Sequence, residues 1–330
     1  MPVSAACGVR CRPYASLMPR TLFVVLAIAA LGAGCDRESS APRPASSLNP
    51  VDGLPTPERF AVEHGAFDSY WYQGKAELTR YALRQARYGE IHDGEAVLIF
   101  VTEDFLPKLQ VKHEAGDAAD AISVLKLNAY RRFYTGIYPY TVMTSSFSPA
   151  IGSPTLKLSN TVQEWCGQVY SQINRRDDGL HSLMHSYFQR EADQKTVLPA
   201  ATLEDGLWAQ IRIAPDRIEQ GKQEVVPALD YLRMRHKALR PYPAKVTRRT
   251  GIDADLVDHP LDALEVDYPP LGRKLVIYYE PDFPHIIQAW EEVEGPFRTT
   301  AVRTNAIIDD YWHHNGAEDA SYRDALGLEY

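Results

Sequence analysis

Glu95-Ala-Val-Leu-Ile-Phe-Val-Thr102 is a run of β-branched, aliphatic and aromatic residues that follows directly on Asp93-Gly94. Such side chains fit the pleated, half-buried surface of a sheet, so the run reads as a strand. The same signature recurs outward from it in Ser123-Val-Leu-Lys-Leu-Asn128, Thr155-Leu-Lys-Leu-Ser159, Gln223-Glu-Val-Val226 and Arg273-Lys-Leu-Val-Ile-Tyr-Tyr279. Turn signals at Asp93-Gly94, Gly152-Ser153 and Asp178-Gly179 lie at hairpin distances, which favours antiparallel pairing over strand-helix alternation. Helix is expected in three places only: Glu58 to Glu63, Leu203 to Arg212, and Ala317 to Leu326 at the C-terminus. The expected fold is mainly β, a curved antiparallel sheet of half-barrel or sandwich type with a few short helices.

An internal echo supports repeated hairpins. Leu125-Lys-Leu-Asn128 followed by Tyr134-Thr-Gly136 matches Leu156-Lys-Leu-Ser159 followed by Trp165-Cys-Gly167, at an offset of 31 residues. Two copies imply two similar hairpins in one sheet, not a solenoid, which needs at least three units.

The N-terminal region has another character. Arg20 precedes an unbroken apolar run from Leu22 to Leu31 and small residues ending at Cys35. Thr21 to Gly34 spans 14 residues, short of the roughly 20 a helix needs to cross a bilayer, so the segment reads as a cleaved secretory signal. Met18-Pro19-Arg20 is the more natural beginning. Residues 1–34 are then a signal peptide, and residues 35–57 a tether rich in Pro, Ser and charge. A random coil of that length spans about 25 Å. Residues 58–330 are expected to form a single β-rich domain.

Removing the leader takes away three arginines and no acids, leaving 32 basic against 43 acidic residues and a charge of −11. That balance argues against nucleic acid as a partner. Cys35 and Cys166 alone remain in the mature chain, so no internal disulfide is expected once Cys35 is acylated.

Gly32-Ala33-Gly34-Cys35 resembles the bacterial lipobox, although the usual leucine stands one place early, at Leu31. The resemblance implies lipidation of Cys35 and a bilayer contact through its acyl chains. Asp36 resembles the signal that retains lipoproteins in the inner membrane, on the periplasmic side. Trp71-Tyr-Gln-Gly-Lys-Ala-Glu-Leu78, Tyr88 to Asp104, Thr135-Gly-Ile-Tyr-Pro-Tyr140, Gln163-Glu-Trp-Cys-Gly167 and Leu203-Glu-Asp-Gly-Leu-Trp208 resemble a family of uncharacterised bacterial lipoproteins. Some members carry the label "septum formation inhibitor Maf". The Maf phosphate loop of serine, proline and paired arginines is absent here, where only the unrelated Ser148-Pro149 and Arg131-Arg132 stand.

Candidate chemistry is sparse. Cys166 lacks a resolving thiol, since Val169 stands where one belongs, and reads as a buried packing cysteine. A nucleophilic role would require His181 or His185 nearby, with Glu164 the adjacent acid. His181 and His185 share a face at i, i+4, but on a strand they stand about 13 Å apart, too far for one metal. In Tyr311-Trp-His-His-Asn315 the adjacent histidines diverge, and the segment reads as a helix cap with interfacial aromatics. Asp253, Asp255 and Asp258 read as an acidic turn. Arg233, Arg235 and Lys237 alternate with Leu232 and Met234 as the basic face of a strand. Arg80, Arg84 and Tyr88 share one strand face and, with Arg131, are the candidate ligand-binding residues. Neither metal nor cofactor is expected, and no short catalytic motif occurs. The expected role is an envelope lipoprotein that binds a small apolar or glycan ligand, or an envelope protein, on the concave side of its sheet. The alternative is a periplasmic hydrolase whose site assembles only in three dimensions.

Overall fold

The strand-forming runs join into one continuous 16-stranded sheet. This computed structural model describes residues 61–152 and 154–328. The signal segment, Cys35, the tether and the first part of the expected Glu58 to Glu63 helix lie outside them. The described residues belong to one compact unit.

In chain order the strands are β1 Ala76–Arg87, β2 Glu90–Leu106, β3 Val111–Lys112, β4 Ile122–Thr135, β5 Tyr138–Pro149, β6 Lys157–Glu164, β7 Gly167–Arg176, β8 Gly179–Ser186 and β9 Gln194–Leu198. They continue with β10 Thr202–Leu203, β11 Gly221–Val226, β12 Tyr242–Ile252, β13 Leu261–Tyr268, β14 Arg273–Tyr279, β15 Ile287–Glu294 and β16 Phe297–Asp309. The main path runs β10 through β16, then β1, β2 and β4 to β9, with β3 pairing off β2. Every pairing is antiparallel except the short β10–β11 contact. Almost every connection is a hairpin, so long strands pair with their neighbours in sequence. The two edges of the path, β9 and β10, are themselves consecutive in the chain and joined by residues 199–201. The sheet therefore curls until its edges meet at a seam that no ladder closes.

The expected curved antiparallel sheet is what forms, with the half-barrel alternative favoured. The two echoed segments do form hairpins in one sheet, with turns at 135–138 and 164–167 at the same end of the meander, but those turns lie 29 residues apart, so the 31-residue match does not hold in register. Alternation sends Leu125, Leu127 and Phe133 of β4, Val142 of β5, and Leu158 and Val162 of β6 into one large core.

Three local expectations change. Asp93 and Gly94 lie inside β2, and the turn before it is Tyr88-Gly89, with φ of 52° and 84°. Gly94 is required for a different reason: a Cβ there would stand 2.3 Å from the Arg132 carbonyl oxygen. The Arg233 to Lys237 stripe is not a strand. Leu229–Met234 is a helix, α3, with all six residues buried, and five alternating residues were too few to fix the period. The first helix, α1, runs Ala61–Trp71, further than expected, because Phe67, Tyr70 and Trp71 recur at helical spacing and pack on the core. Helix α2 (Glu204–Ile213) and the terminal α4 (Tyr322–Leu326) fall where the sequence places them.

Candidate functional site

Helix α2 enters the chain immediately after the seam and fills the interior of the curl. Leu207, Trp208 and Ile211 give it apolar surface, and eight of its ten residues are buried. Glu204 and Asp205 open the helix and Arg212 closes it, the order that complements its dipole. Gly206 permits the approach to the loop between β5 and β6, since a Cβ there would lie 1.9 Å from Thr155 Oγ1.

Burying charge at both ends of α2 requires partners, and the sheet supplies them. Arg212 donates to both carboxylate oxygens of Glu77 at 2.6 and 2.7 Å and to the Pro284 carbonyl at 2.7 Å. Burial alone would push Glu77 up, but the Arg212 charge and hydrogen bonds outweigh it and hold the carboxyl below its ordinary value. At the other end Glu204 accepts from both terminal nitrogens of Arg273, at 2.6 and 2.7 Å, and from the Tyr268 hydroxyl at 2.6 Å. Glu292 joins this group through Arg131 at 2.9 Å and Arg273 at 3.2 Å. Burial opposes its ionisation, yet the two arginines hold its pKa down to about 2.

Two acids are left less well matched. Asp230 on α3 lies 3.4 Å from Arg131, while Asp205 accepts only the Leu229 backbone N–H, at 2.9 Å. Burial and then the Asp230 charge push Asp205 up to about 8. Both acids line a small enclosed cavity of about 20 Å³ together with Arg131, Ser146, Trp208 and Trp290.

The larger space is at the seam. A cavity of about 430 Å³ opens between residues 200–203, the end of β7, α2 and the segment leading into β11. Leu203, Leu207 and Ile218 provide its apolar wall, Thr155, Gln210 and Gln223 its neutral polar groups, and Arg217, Glu219 and Glu224 further charged groups beside Arg175. Arg175 stands at its edge, held by its own donation to the Thr155 carbonyl at 2.9 Å and the Ala201 carbonyl at 2.8 Å. Among the described residues no carboxylate forms an ion pair with Arg175, and burial lowers its pKa.

The residues singled out by sequence scatter. Of the candidate ligand-binding residues, Arg131 alone joins the charged cluster beside α2. Arg80 and Arg84 lie on the outer face of β1, 3.6 Å from Glu95 and 3.8 Å from Asp93. Tyr88 is 62% exposed at a hairpin tip, its hydroxyl 2.6 Å from that of Tyr140. Cys166 is exposed, not buried, because it occupies the two-residue turn between β6 and β7. The Glu164 carboxylate accepts its backbone N–H at 2.6 Å and raises the thiol pKa, which works against a nucleophilic thiolate. His181 and His185 do lie on a strand, β8, and pair with Asp178 at 2.7 Å and Asp193 at 3.2 Å. Neither lines the seam cavity. Near the C-terminus Asp309, Asp310 and His314 hold one donor atom each within 4.8 Å of one another, and the adjacent His313 points its Nδ1 to the other side of Asp310, at 2.8 Å from Oδ2. Sequence reasoning missed Arg175, Asp205, Asp230, Arg273 and Glu292, whose partners are remote in the chain. The only local signal was charge inside apolar runs, as in Leu203-Glu-Asp-Gly-Leu-Trp208.

No family model and none of the curated proteins matches the chain. Among solved structures it is similar to a β-barrel-like protein of a domain of unknown function, DUF1849, from Brucella abortus, at 12% identity and a TM-score of 0.44, over 71% of this chain and 98% of that one.

Proposed function

We propose that this protein is a ligand-binding module whose seam cavity takes a small amphiphile with an anionic head, and that acyl chains on Cys35 hold it at the periplasmic face of a membrane. The carrying observation is Arg175, a partly buried guanidinium at the edge of the seam cavity that, among the described residues, forms no ion pair with a carboxylate. Its two carbonyl acceptors fix its orientation, and the Glu219 and Glu224 carboxylates that line the same cavity form no ion pair with it. An incoming carboxylate or phosphate pairs with it by charge-assisted hydrogen bonds. The apolar wall of Leu203, Leu207 and Ile218 accounts for the ligand's second half, and about 430 Å³ lies within the size range of small-molecule sites.

Calorimetric titration with sodium decanoate, decanol and inorganic phosphate tests the reading. Decanoate is expected to bind and decanol to bind at least tenfold more weakly. Arg175→Gln should remove that discrimination, and Ala200→Trp, which fills the exposed mouth, should block both. Equal affinity for acid and alcohol, or no binding of any probe, sinks the proposal.

A further inference from the structure

The charged cluster at the N-terminal end of α2 does not balance. It contains four acids, Glu204 and Asp205 on α2, Asp230 on α3 and Glu292 on β15, against two bases, Arg131 on β4 and Arg273 on β14. Tyr268 on β13 and Tyr231 on α3 face the same group as neutral phenols, Tyr268 donating to Glu204 and the Arg273 guanidinium standing 4.3 Å over the Tyr231 ring. Glu204 has both terminal nitrogens of Arg273, and Glu292 shares both arginines. Asp205, 8% exposed, has no basic side chain within ion-pair distance among the described residues.

The cavity between these groups has room for about one water, and two further polar groups face it without a hydrogen-bonding partner in the protein, Ser146 Oγ and Trp290 Nε1. A buried carboxyl without a cation keeps its proton, because the neutral acid donates a hydrogen bond and avoids the desolvation of a charge. The same helix carries Leu207 and Gln210 on the wall of the seam cavity. Whatever loosens the N-terminal turn of α2 therefore acts on both spaces.

We infer that the Asp205 and Asp230 carboxyls form an internal proton-binding site that sets how firmly α2 is docked and, through α2, how tightly the seam cavity holds its ligand. The second clause rests on the anion-binding reading above. Docked α2 favours the protonated acid, whereas an α2 that lets water reach Asp205 favours the carboxylate. Rising pH therefore shifts the balance toward the loosened state by up to tenfold per pH unit between about 4 and 8. Above that window both states are ionised and the dependence stops. Arg131 limits the effect by stabilising the carboxylate form.

Hydrogen exchange of the α2 amides, corrected for intrinsic rates and measured from pH 5.5 to 9, tests the first clause. The wild-type opening constant should rise several-fold up to about pH 8 and then level off. Asp205→Asn should give a flat profile, and Asp230→Asn, which removes the neighbouring charge, should move the rise to lower pH. A flat wild-type profile, or the wild-type slope retained in Asp205→Asn, overturns the proton site. Decanoate titrations at pH 6 and 8.5 address the second clause. Weaker binding at pH 8.5 in wild type but not in Asp205→Asn supports it. Equal affinity at both pH values overturns the coupling. Absence of decanoate binding beside a pH-dependent exchange profile removes the ligand reading and leaves the proton site standing.

Discussion

Arg212 on α2 and Glu77 on β1, 135 residues apart in the chain, form a two-point ion pair at 2.6 and 2.7 Å in the protein interior. The Arg212 guanidinium also lies 5.0 Å from the Trp71 ring centroid, and Tyr70 donates to Glu77 at 2.5 Å, so α1 joins the same contact. One pair thus ties the interior helix to the sheet and to the first helix of the domain.

Breaking that pair from one side should be costly. Glu77→Gln leaves Arg212 buried and uncompensated, and urea unfolding should show a loss of about 3 to 5 kcal/mol. Glu77→Leu combined with Arg212→Met should recover much of it, since the pair's desolvation cost disappears along with its attraction. A double variant as unstable as Glu77→Gln would mean the pair is strongly favourable in its own right.

Gly206 is a packing requirement and not a hinge. Gly206→Ala puts a methyl against Thr155, which itself bonds Ser148 Oγ at 2.8 Å and therefore gives way poorly. A loss of about 1 to 3 kcal/mol is expected from overpacking. Thermal melting should show partial rescue by Thr155→Ala in the same chain, because the hydroxyl and methyl in conflict are then gone.

Glu292 sets an acid limit. Its pKa is about 2 when folded, below the ordinary glutamate value, so its contribution is complete above about pH 4.3 and is lost as pH falls toward 2. Within that window unfolding free energy should drop by at most about 1.4 kcal/mol per pH unit on this group's account. Glu292→Gln should be less stable at pH 7 and lack that portion of the slope. An unchanged slope in the variant would assign the acid transition to other carboxylates.

Acylation of Cys35 remains the proposal that places the domain. Cys35→Ala should abolish incorporation of labelled palmitate and move the protein from the membrane pellet to the soluble envelope fraction. Label retained by the variant would refute the lipid anchor.

Much of the sheet was legible because strand identity is a local property. Val97 to Val101 and Leu275 to Tyr279 alternate faces or run apolar over lengths that only a buried strand uses, and α2 carries Leu207, Trp208 and Ile211 at helical spacing. Cys166 was misread because a turn of two residues looks like the strands on either side of it. The stripe from Leu232 to Lys237 was misread because its alternation ended before a period of two could be told from a helical one.

Local side-chain pattern thus determined that this chain forms an antiparallel β meander with a short helix after Leu203, since period and turn chemistry act within a few residues. The tertiary structure alone decided that β9 and β10 meet as unpaired edges, that α2 lies inside the curl, and that Arg175 and Asp205 form no ion pair among the described residues. The physical reason is that the charge balance of a buried group depends on which remote segments fold around it. Arg131 and Glu292 stand 161 residues apart, and no local pattern records their meeting.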